Sequence, residues 1–190
     1  MQTEGQGWVL FAYSVPSEPS TRRVALWRKL RGLGALYIQQ SVCVVPDTAH
    51  FRSGLEGCKA LTEDAAGAVW MIAFTPSDEA GAARLLRDFQ AIRSAEYAEF
   101  GERAEALLAE LVRETAGAKF TFAELEEDED EVEKLAKWLA RIAKRDALDC
   151  VDGTRARSLM AECSAAIERF RATTLSVEAG VETSVEPEAS

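Results

Sequence analysis

The sequence is nearly empty of histidine: His50 stands alone among 190 residues, with no second histidine and no cysteine at metal-ligand spacing. Zinc and copper sites therefore lack their ligands, and we expect no metal. The four cysteines, Cys43, Cys58, Cys150 and Cys163, form no C-x-x-C pair. Without a leader-like segment before the first apolar run, they read as reduced thiols of a cytoplasmic protein. No apolar stretch approaches the ~20 residues that span a bilayer, so no membrane partner is expected. Glycine-rich phosphate loops, the G-x-S-x-G elbow and paired histidines are missing too. No cofactor is expected, and the chain does not read as an enzyme.

What is present is an uneven distribution of charge. The formal net charge is -10, yet the first sixty residues carry seven Lys or Arg against four acids. Five of those cations, Arg22, Arg23, Arg28, Lys29 and Arg31, lie within ten residues with no acid between them. At ~100° per residue, Leu26, Trp27, Leu30 and Leu33 share an apolar arc, which predicts a helix packing Trp27 inward and ending at Gly32 and Gly34. Exposed cations on a rigid helix are suited to phosphates or a small oxyanion. The bland alternative is a solvated face with nearby acidic partners.

Around that helix the pattern alternates. "WVLFAYSV" reads as a strand stopped by Pro16. "ALYIQQSVCVVP" reads as two strands or one bent strand breaking near Gln40 and Ser41. Asp47 or Thr48 caps a helix to about Asp64, and "AVWMIAF" is a last strand. This order predicts an α+β, ferredoxin-like split βαβ sandwich over residues 1–78.

From Glu79 to Ala116 no proline interrupts a seam at Leu85, Phe89, Ile92, Phe100, Ala104, Leu107 and Leu111. Further seams at Val132, Leu135, Trp138 or Leu139 and Ile142, then at Ala156, Leu159, Cys163, Ile167 and Phe170, complete a long-helix antiparallel bundle over 79–175. The acidic run "ELEEDEDEVE", Glu124 to Glu133, reads as a solvated helix start that complements the macrodipole, since it lacks the glycine and ligand spacing of a calcium loop. Residues 176–190 read as a disordered acidic tail. Cys43 and Cys58, near the basic helix, are candidates for a redox sensor if exposed and for plain core residues if not.

Two segments carry a family resemblance. "YSVPSEPSTRRVALWRKLRGLGALYIQQSVCVVPD" and "KFTFAELEEDEDEVEKLAKWLARIAKRDAL", in this order and followed by an amphipathic helix, resemble the N-terminal domain of ChrB, the chromate resistance regulatory protein. The first segment is also similar, more distantly, to the ferredoxin-like domain of PaaX-type repressors and to small CRISPR-associated nucleases. The ChrB resemblance implies a chromate-responsive transcription regulator acting beside a membrane chromate transporter. Joined to the basic helix, the long-helix surface and the cysteine usage, the expectation is a cytoplasmic regulator that binds operator DNA as a homodimer, with chromate as effector. Arg22, Arg23, Arg28, Lys29 and Arg31 are then the DNA or anion contacts. The matching positions Trp27, Trp138, Arg141, Arg145 and Asp146 are expected to be structural. The nuclease relatives hold a metal with an aspartate just after the first strand, where this sequence has Tyr13, Ser14, Val15 and Pro16. Nuclease chemistry is therefore not expected. The alternative is a module for protein interaction or dimerisation that works with a separate partner domain.

Overall fold

The computed structural model describes residues 7–18 and 20–182. The first part runs β1 (Trp8–Ser14), α1 (Ser20–Leu33), β2 (Leu36–Gln39), β3 (Val42–Pro46), α2 (Ala49–Asp64) and β4 (Ala68–Phe74). Every pairing is antiparallel and the sheet order is β2-β3-β1-β4, the split βαβ arrangement expected. β1 sits between two neighbours, which explains its nearly continuous apolar character. Its Val9 and Phe11 are buried, as are Cys43 and Val45 on β3, Leu26 and Leu30 on α1, and Phe51 and Leu55 on α2.

Local chemistry sets the element ends. Thr48 caps α2 by accepting a hydrogen bond from the Phe51 amide at 3.4 Å. At the end of α1, Gly34 adopts φ 88° while Ala35 N–H donates to Leu30 C=O at 3.1 Å and Gly34 N–H to Arg31 C=O at 3.0 Å. That pair of bonds is a Schellman closure, which turns the chain sharply into β2.

The second part holds α4 (Phe122–Arg145) and α5 (Asp152–Glu182) with most of α3 (Glu79–Ala116). Buried Phe100, Ala104, Leu107 and Leu111 from α3 share a core with Leu135 and Ile142 from α4 and Cys163, Ile167 and Phe170 from α5. The helices run antiparallel. The start of the shared α3 segment meets the end of α4 at Glu96–Arg145, and α4 meets α5 head to tail at Glu129–Arg171. Thr121 caps α4 by accepting from the Glu124 amide at 3.3 Å.

Three expectations about the chain's organisation need adjustment. The two compact units meet between Ile92 and Arg93 rather than after residue 78, because Phe89 of α3 packs edge-on against Trp8 and Phe51 at ring-centroid distances of 5.8 and 6.1 Å. The first turns of α3 thus complete the sheet unit's core. α5 continues to Glu182, so residues 176–182 are helical and not tail; residues 183–190 lie outside the described residues. Within the acidic run, Asp128 is buried. Among the described residues no helix is long and apolar enough to cross a membrane.

Candidate functional site

The five cations of α1 separate into two flanks. On one, Arg22 donates through its guanidinium to the Asp64 carbonyl at the end of α2, and Lys29 Nζ donates to the Gly57 carbonyl at 2.9 Å. These two side chains tie α1 to α2. On the other flank, Arg23, Val24, Trp27 and Arg28 border a cavity of ≈ 600 Å³ whose remaining wall is Tyr13 and the β2–β3 hairpin from Tyr37 to Ser41. Arg31 lies over the Trp27 ring, its guanidinium carbon 5.2 Å from the centroid, a cation–π contact. All five cations are exposed, and among the described residues none of them forms an ion pair.

Trp27 departs from expectation. It is 43% exposed and stands in the cavity wall, not in the core. Leu26 and Leu30 fill the space between α1 and the sheet, which leaves the next position round the helix facing the hairpin. The cavity's two tyrosines were not anticipated. Tyr13 and Tyr37 place their hydroxyls 3.4 Å apart, and burial together with that contact pushes the Tyr37 phenol above its ordinary pKa, so it remains protonated at physiological pH. Their signal in the sequence was faint: both sit at ordinary strand positions.

Cys43 and Cys58 are fully buried. Burial pushes the Cys43 thiol up to about 12 and the Cys58 thiol up to about 11, against an ordinary 9.0. Neither carries appreciable thiolate near neutrality, which removes the basis for a redox sensor at either position. Among the described residues no group of three or more His, Cys, Asp or Glu is arranged to hold a metal ion.

The bundle motif residues build a polar network at the other unit. Arg145 Nη2 meets Glu96 Oε1 at 2.7 Å, and the buried Arg93 meets the other Glu96 oxygen at 3.1 Å. Asp146 accepts from the Tyr97 hydroxyl at 3.0 Å and from the Cys150 amide at 3.0 Å, which fixes the α4–α5 connection. Trp138 packs edge-on to Phe100 at 5.8 Å, and Arg141 is exposed.

Together these features define a protein with a ferredoxin-like sheet, a helical bundle and a basic, aromatic-walled hollow on the sheet unit. The family described as Protein ChrB, N-terminal, matches residues 23–180, and the chain belongs to it. Protein ChrB of Cupriavidus metallidurans is 33% identical over 95 residues, which are 49% of this chain and 28% of the relative. The matched stretch therefore spans under a third of that relative's length. No solved structure matches the chain.

Proposed function

We propose that this chain is a non-enzymatic, cytoplasmic regulator in chromate resistance that binds operator DNA as a homodimer through the exposed face of α1. The observation that carries the reading is the set of α1 cations that lack acidic partners among the described residues of a chain of net charge -10. Unneutralised arginines on a rigid helix attract phosphates, and each contact releases counterions and steepens the salt dependence. Arg23, Arg28 and Arg31 are the contacts, because Arg22 and Lys29 are engaged with α2. Chromate, a tetrahedral dianion, would compete for the same guanidinium groups.

The test is fluorescence anisotropy of a labelled duplex from the gene's own upstream region, at two salt concentrations, with and without chromate. Salt-dependent binding that chromate relieves is expected. No binding at any salt would overturn the regulator reading.

A second reading, a protein-interaction module, is favoured by the edge strand β4. Its Trp70 and Ile72 point the same way and are 56% and 52% exposed. Recovery of a defined protein partner without DNA affinity would select it.

A further inference from the structure

The hollow beside α1 is not shaped for a bare oxyanion. At ≈ 600 Å³ it lies within the size range of sites for organic ligands. A tetrahedral anion held by the arginines would leave its aromatic walls in water. Three large apolar side chains stand exposed around it, Val24 at 40%, Trp27 at 43% and Ile38 at 49%. Three exposed apolar side chains lining one concave site, with cations at its rim, are the composition of a pocket for a ligand that has a flat apolar body and a charged group.

Its construction supports the same conclusion. Positions 23, 24, 27 and 28 form one stripe along α1, offset by one, four and five residues, so two cations and two apolar groups face the hairpin together. The opposite wall is held in an uncommon backbone shape. β2 is bulged between Tyr37 and Gln39, and Ser41 adopts φ 64°, the left-handed region few non-glycine residues enter. The Ser41 carbonyl accepts from the Tyr13 amide at 3.0 Å, which ties the turn to β1. Tyr13 and Tyr37 supply two hydroxyl protons, of which their mutual contact uses one. The second is available to a ligand oxygen.

We propose that this cavity binds a planar organic anion, its ring against Trp27 and the two tyrosines and its carboxylate or phosphate on Arg23 and Arg28. The binding stands on the cavity alone. Its regulatory consequence rests on the function proposed above: a ligand that occupies Arg23 and Arg28 withdraws them from DNA phosphates.

Isothermal titration in the absence of DNA tests it, with 2-naphthoate, the neutral 2-naphthamide, inorganic phosphate and chromate as probes. Saturable binding of one naphthoate per chain is expected, with the amide at least tenfold weaker. The double replacement Arg23→Gln, Arg28→Gln should weaken naphthoate about tenfold and leave the amide unchanged, and Trp27→Ala should weaken both. These side chains are exposed, so melting temperatures close to the parent's confirm that the variants fold. Absence of naphthoate binding at millimolar concentration overturns the proposal. So does binding of phosphate or chromate as tightly as naphthoate with no response to Trp27→Ala, the behaviour of a simple oxyanion site. Naphthoate binding without DNA binding would retain this site and dismiss the regulator; DNA binding without naphthoate binding would do the reverse.

Discussion

Lys29 Nζ donates to the Gly57 carbonyl at 2.9 Å, and a Cβ at position 57 would come within 2.6 Å of that nitrogen. The ammonium lies directly on the backbone of α2. A cation read from the sequence as a free surface charge is thus a clasp between two helices, and the basic segment has to be divided by what each side chain already holds.

That division is measurable. Lys29→Gln or Arg22→Gln removes a bond to an α2 carbonyl and should lower unfolding free energy by about 0.5–1 kcal/mol. Arg23→Gln with Arg28→Gln should leave stability within about 0.5 kcal/mol, since neither side chain forms an ion pair. The same pair should reduce the log–log salt slope of DNA binding by about 2. Urea melts and salt titrations of the three variants check both halves, and equal effects on the two flanks would contradict the assignment.

Glu96 should be far more sensitive than its surface counterparts. Its carboxylate meets Arg145 and the buried Arg93, so Glu96→Ala is expected to cost about 3 kcal/mol. Glu105, paired with Arg155 at 2.8 Å on the exposed surface, should cost under about 1 kcal/mol when replaced by Ala. Denaturant midpoints of the two variants compare them directly.

Stability should decline with rising pH because of a carboxyl pair. Glu114 on α3 and Asp128 on α4 are both buried, and burial together with the neighbouring Asp128 and Glu124 pushes Glu114 up to about 7 from an ordinary 4.5. Asp128 is raised too, by burial and by the charges of Glu110, Glu124 and Glu127. A carboxyl with a raised folded pKa leaves the native state holding more protons than the unfolded chain. Its contribution is therefore complete below the ordinary value and lost as pH rises through about 7. Glu114→Gln should flatten this decline, measured as urea midpoint against pH from about 4.5 to 8; a variant as steep as the parent would refute it.

Ala118 ends α3 at φ 52°, with Lys119 N–H donating to Glu114 C=O at 3.0 Å. This is the position where helices favour glycine. Ala118→Gly should stabilise the chain by about 0.5 kcal/mol, the relief of left-handed strain less the added freedom of the unfolded chain. Thermal melting should show a rise of about 1–2 °C.

The strands were legible as short apolar runs closed by proline or turn residues, and the helices as seams at three-four spacing. β4 is apolar at every position from Ala68 to Phe74, a run that needs only its bounds to be read as a strand, and α3 carries a heptad-like seam for which Phe89, Phe100, Ala104, Leu107 and Leu111 are buried. Trp27 was misplaced because an apolar side chain beside a core stripe reads the same whether it faces the core or a cavity, and only the path of the hairpin distinguishes the two. Asp128 could have been found. It stands with Leu125, Val132 and Leu135 at three-four-three spacing, on the seam rather than the solvent face, but a run of eight carboxylates hides the one that is different. The unit boundary was not legible, because α3 passes through it without a break in helical pattern.

The four thiols bear on how the chain records its history. Cys43, Cys58, Cys150 and Cys163 are all free and all buried, on the sheet, on α2, before α5 and within α5. An oxidant in the surrounding water meets none of them while the fold is closed. Cysteine oxidation in this chain therefore counts openings of the structure rather than encounters with the oxidant, and the site first modified identifies the part that opened first.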